Sequence, residues 1–142
     1  MKKNKIVICL ILFVSSLNVF ANSLSSASPL NADVYFIEPS DGQIVGKNVK
    51  VVFGLKNMGV APAGSNIENT GHHHLLINSD DLTDLSKPLP ATDKIKHFGG
   101  GQTETEIMLP PGKHTLQLIL GNFLHVPHDP PVISNKITIT VQ

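Results

Sequence analysis

The stretch PPGKHTLQLIL, Pro110–Leu120, is the one on which the fold turns. Its Pro-Pro-Gly opening reads as a turn, because proline presets φ and glycine supplies the conformations that a reversal needs. Beyond it, His114, Leu116, Leu118 and Leu120 alternate with Lys113, Thr115, Gln117 and Ile119, the period of a strand with one buried face. The same alternation recurs upstream, where Val49, Val51, Phe53 and Leu55 interleave with Lys50, Val52, Gly54 and Lys56. It recurs downstream, where Ile137, Ile139 and Val141 interleave with Lys136, Thr138 and Thr140. Shorter extended runs fall at Val34–Ile37, His72–Asn78 and Thr103–Leu109, set apart by turn-rich segments such as Pro39-Ser40-Asp41-Gly42 and Asn57–Thr70. Asp80–Gly101 reads as irregular, with one helical turn expected at Ser79–Leu85, where Ser79 can cap. The expected fold is all-β, an antiparallel immunoglobulin-like β-sandwich of about seven short strands, without the Cys and Trp landmarks of true immunoglobulin domains.

The amino terminus has the three parts of a secretory signal: a basic Met1–Lys5, an apolar Ile6–Val14, and the small-x-small pattern Val19-Phe20-Ala21. The apolar run is shorter than the about 20 residues of a spanning helix, so no membrane attachment is expected after processing. Cleavage after Ala21, or alternatively after Ala27, predicts a periplasmic or secreted protein. The expected organisation is a signal peptide over 1–21, a flexible Ser/Ala/Asn-rich leader over 22–32, and one β-sandwich domain over 33–142. Removal of Lys2, Lys3 and Lys5 leaves eight lysines and no arginine against eleven acids, a balance that argues against nucleic-acid binding. Cys9 lies inside the apolar run and should leave with it. A mature chain without cysteine has neither disulfides nor the thiolate of a blue-copper or Zn-Cys site.

All seven histidines fall between residues 72 and 128. Neutral imidazole is the commonest ligand for late first-row metals, so such clustering points to copper or zinc. In Gly71–Ile77 (GHHHLLI), His72 and His74 share a strand face and can converge on one ion, while His73 points the other way with Leu75 and Ile77 as a structural residue. In His125–Pro131 (HVPHDPP), Pro127 stiffens a loop and Asp129 can orient a ring nitrogen. His97 precedes Gly99-Gly100-Gly101, which allow a close backbone approach. The candidate metal ligands are therefore His72, His74, His97, His125 and His128. His114 reads as a residue of the buried edge. Strand histidines bonded to backbone or water are the competing meaning of each motif.

Together GHHHLLI, HFGGGQTETE, LPPGKHTLQLILG and HVPHDPPVISNKITITV resemble a family of small exported bacterial domains catalogued as a domain of unknown function, over roughly Val34–Val141. The matching positions are His72, His73, His74, His97, Gly99, Gly100, Gly101, Gln102, His114, His125, His128, Asp129, Pro130 and Pro131. The resemblance implies an exported one-domain β-protein and supplies no activity.

Three functions compete at this point. The favoured one is an exported domain that binds copper or zinc through clustered histidines, in metal handling or tolerance. The alternative is a non-catalytic immunoglobulin-like module with structural histidines, whose partner is an envelope protein. The least supported is a hydrolase or lyase using zinc-bound water, with Glu104 or Glu106 as base. No nucleophile elbow, phosphate loop or dinucleotide fingerprint appears. A histidine-brace copper site is disfavoured because processing exposes Asn22 or Ser28 rather than a histidine.

Overall fold

A computed structural model describes residues 23–80, 82 and 84–142. The signal sequence read over residues 1–21 lies outside them, as do Asp81 and Thr83 within the helical turn expected at Ser79–Leu85. No helix occurs among the described residues, and hence none long and apolar enough to cross a membrane. The described residues form nine strands: β1 (Asp33–Glu38), β2 (Ile44–Val45), β3 (Asn48–Lys56), β4 (Gly59–Val60), β5 (Thr70–Ile77), β6 (Ile95–His97), β7 (Glu104–Met108), β8 (Gly112–Gly121) and β9 (Ile137–Val141). They build two facing sheets. One has the order β1-β3-β7, the other β2-β9-β8-β5-β4, with β6 also paired to β5. The long pairings are antiparallel, and the two-residue strands β2 and β4 add short parallel pairings to β9 and β5.

The alternating strands build the sandwich as their period dictates. Val49, Val51 and Phe53 of β3 meet Leu116, Leu118 and Leu120 of β8 and Ile137, Ile139 and Val141 of β9, with Leu75 and Ile77 of β5 between them. Apolar area removed from water at about 25 cal/mol per Å² is what holds two such faces together.

The outer face of the larger sheet departs from the expected pattern. The alternation of β8 puts Ile119 on its polar side, yet it is fully buried and packs with Leu76, Ile95 and Leu89 in a second, smaller core. Leu82, Leu85, Leu89 and Ile95, from the segment expected to be irregular, pack against this face, and Ile95–His97 form β6, a strand too short to carry a readable period. The Ser/Ala/Asn-rich segment read as a flexible leader is also engaged. Ala27 bridges Asp129, and Asn122 Nδ2 donates to the Leu24 carbonyl and to Ser26 Oγ.

Candidate metal centre

β5 carries the sequence Thr-Gly-His-His-His-Leu-Leu-Ile, and all of it from Gly71 onward is buried on both faces. Alternation sends His73, Leu75 and Ile77 into the sandwich and His72, His74 and Leu76 to the outer face. His73 packs on Phe53 with ring centroids 4.9 Å apart. His72 and His74 stand side by side with centroids 4.8 Å apart.

Strand pairing brings the remaining rings to this pair. β6 runs antiparallel to β5 with His97 directly opposite His74, and opposed residues share a face. On the other side of β5, His72 faces Gly121 of β8. The chain then turns through Asn122–Leu124, and His125 takes a left-handed backbone (φ 67°). Among the described residues the other non-glycine positions with positive φ are Asn57, Asn69 and Asn78, a region that asparagine and histidine enter more readily than other side chains do. That turn returns the His125 ring to the cluster, 4.5 Å from the centroid of His97, 5.0 Å from His72 and 6.1 Å from His74.

Glycines make the room. A Cβ on Gly121 would stand 2.7 Å from Cε1 of His74, and one on Gly99 would overlap the His97 ring. A Cβ on Gly71 would lie 2.7 Å from the Gly121 carbonyl oxygen and 2.9 Å from Cε1 of His128.

One ring nitrogen from each of His72, His74 and His97 falls within 4.8 Å of the others. A tetrahedral ion with metal–nitrogen bonds of about 2.0–2.1 Å holds its ligands about 3.4 Å apart, so these rings need to draw in by about an ångström. His72 and His74 are buried, His125 is half-buried and His97 is exposed, so the cluster reaches from the interior to solvent. None of the four ring nitrogens of His72 and His74 makes a hydrogen bond of good geometry, the backbone of His72 lying near the His74 ring. Burial, reinforced by the charges that His97 and His125 would carry, lowers His72 to about 4. Burial, with His72 the next contributor, lowers His74 to about 3. His97 is also lowered, by burial and by His125. The rings are thus held neutral at physiological pH, the form in which imidazole ligates.

The other sequence candidates have different surroundings. His128 is buried beside the cluster with its nitrogens on backbone oxygens, Nε2 3.1 Å from the Thr70 carbonyl and Nδ1 3.4 Å from that of Leu120. His114 donates from Nε2 to the Pro110 carbonyl at 2.8 Å and accepts at Nδ1 from Asn78 Nδ2 at 2.9 Å, the structural role expected of it. Asp129 is exposed. Its backbone, rather than its carboxylate, is engaged, accepting from Ser28 N and donating to the Ser26 carbonyl. Glu104 and Glu106 lie exposed on β7, Glu104 in a solvated ion pair with Lys50 at 3.8 Å. The Gly99–Gly101 run is held by Gly101 N donating to the Phe98 carbonyl and Ala63 N donating to that of Gly99, which keeps the backbone against the His97 ring. Sequence reading overlooked Asn122. It is a buried polar side chain, and its side-chain oxygen accepts from the backbone N–H groups of Leu124 and Val126.

These features define a class: a β-sandwich domain with a partly buried, all-imidazole cluster close enough to hold a metal ion. The chain belongs to the family described as Domain of unknown function (DUF4399), which matches residues 51–142. No curated protein matches it. Among solved structures it is similar to the endo-beta-1,4-mannanase from Thermotoga petrophila, at 18% identity with a TM-score of 0.42. That likeness covers 78% of this chain and 20% of the other, so the chain spans about a fifth of the length of the protein it matches.

Proposed function

We propose that this is an exported domain that binds copper or zinc, with His72, His74 and His97 as ligands and His125 completing the set, in metal handling or tolerance. The observation that carries the reading is the convergence of His72, His74 and His97, one ring nitrogen of each within 4.8 Å of the others, two of these rings being buried without a hydrogen bond of good geometry. A buried polar group left unsatisfied costs about 1–3 kcal/mol, and proteins rarely keep several together without a use for them. A metal ion satisfies one nitrogen of each ring at once. The donor set is neutral nitrogen throughout, without thiolate or carboxylate, which suits copper or zinc and not the oxygen-seeking magnesium or calcium. His128 is left out of the ligand set because both of its nitrogens already face carbonyl oxygens.

Isothermal titration of the ion-free protein with Cu(II) or Zn(II) at neutral pH tests this. The expected result is saturable uptake of one ion per chain. No saturable uptake at micromolar concentrations overturns the reading.

A further inference from the structure

We infer that the segment Leu24–Ser28 is a clasp that holds His125 in the cluster, with Asn122 as its positioning residue. The inference rests on the metal-site reading for its use, but the clasp has its own observable. His125 has no regular strand to hold it. It sits at positive φ in a five-residue reversal, and its backbone bonds run to Asn122, whose carbonyl accepts from His125 N at 2.8 Å, and to Leu89, whose N–H donates to the His125 carbonyl at 2.9 Å. Asn122 controls both sides of this reversal. Its Oδ1 accepts from Leu124 N at 2.9 Å and Val126 N at 3.1 Å, and its Nδ2 donates to the Leu24 carbonyl at 2.8 Å and to Ser26 Oγ at 3.1 Å.

The far end of the loop is fastened to the same segment. Asp129 N donates to the Ser26 carbonyl at 3.0 Å, Ser28 N to the Asp129 carbonyl at 3.3 Å, and Ser28 Oγ to the Pro130 carbonyl at 2.6 Å. Residues 24–28 thus bond to the loop before and after His125. A backbone in a sparsely populated region persists only where its surroundings over-determine it, and this segment supplies much of that determination. The two cleavage positions read from the sequence then differ in consequence. A chain beginning at Asn22 keeps the clasp, whereas one beginning at Ser28 loses Leu24 and Ser26.

The test uses the chain beginning at Asn22 with two variants. Asn122→Ala removes the side-chain bonds on both sides of the reversal. Ser28→Pro removes the N–H and hydroxyl by which the clasp meets Asp129 and Pro130, and constrains Ala27 beside them, while leaving every residue of the loop unchanged. Two readouts are taken: amide hydrogen exchange at Leu124, His125 and Val126 in the metal-free protein, and Cu(II) affinity, with His125→Asn as the reference for loss of the fourth imidazole. Both variants should accelerate exchange at these amides and weaken Cu(II) binding by about tenfold or more, toward the His125→Asn value, as supports of metal ligands generally do. Unchanged exchange at 124–126 in folded Ser28→Pro protein overturns the clasp, and so does an affinity equal to wild type. Accelerated exchange in a protein that takes up no Cu(II) sustains the clasp and sinks the metal reading, so the two failures are distinguishable.

Discussion

His72, His73 and His74 are consecutive, equally buried and alike in making no hydrogen bond of good geometry with their rings, the backbone of Gln102 lying near His73 and that of His72 near His74, yet they face opposite sides of the sheet and should answer mutation differently. His73 lies among Phe53 and the sandwich core, where leucine has a similar volume and no nitrogen to desolvate. His73→Leu should therefore raise the stability of the metal-free protein by on the order of 1 kcal/mol, and leave metal affinity unchanged. The double change His72→Leu with His74→Leu should likewise raise the metal-free melting temperature but abolish any rise on adding Cu(II) or Zn(II). For the unsubstituted protein, an ion at 100 times its Kd should add about 2.7 kcal/mol, or roughly 10 °C for a domain of this size. Differential scanning calorimetry with and without the ion reads both signs. A loss of metal-free stability in the double variant would mean that these rings are structural. The face assignment behind these predictions was legible in the sequence, because strand alternation puts His72 and His74 together whatever the fold. The unpartnered nitrogens were not, since hydrogen-bond partners come from distant chain segments.

At the scale of elements, the cluster is made by pairing. His97 reaches it because β6, a three-residue strand, docks on β5 in the register that opposes His97 to His74. So short a strand carries no readable period, which is why its stretch of sequence looked irregular. The glycines were legible as a run, but their purpose depends on the partners. Gly121→Ala should push the His74 ring aside and weaken metal binding by about tenfold or more with a modest loss of stability, because the nearest obstacle is a side chain able to shift. Gly71→Ala meets the backbone oxygen of Gly121 and should cost stability first, by about 1–3 kcal/mol. Thermal denaturation set against Kd for the two variants separates these effects. Equal losses of stability would contradict the assignment of Gly121 to the ring and Gly71 to the sheet.

For the whole molecule, the buried rings couple folding to pH. His72 and His73 are lowered to about 4 and His74 to about 3, each chiefly by burial, against about 6.5 in the unfolded chain. The unfolded state thus binds more protons below pH 6.5, so the stability that these rings allow is complete above that value and is lost as pH falls toward 4. Each ring that stays neutral contributes a slope of about 1.4 kcal/mol per pH unit within that window. Metal-free protein should therefore lose stability steeply between pH 6.5 and 4, and His73→Leu should reduce the slope by about one such contribution. Urea denaturation across that range measures it. A flat profile would mean that the rings titrate freely in the folded state.

The sequence by itself determined the sandwich and the division of β5, because alternation of side chains and turn chemistry are local and act on adjacent residues. The strands from Val49, His114 and Ile137 each carry their own period, and apolar faces so patterned have little choice but to pack on one another. Which histidines meet was decided by the tertiary structure. His97 and His125 join His72 and His74 through strand register and a left-handed turn, while His128, equally prominent in its motif, points its nitrogens at the carbonyls of Thr70 and Leu120, to one of which a neutral ring can donate. Spacing along the chain records which residues are available as ligands. Convergence on a point depends on contacts between segments far apart in sequence, and only the folded chain brings those together.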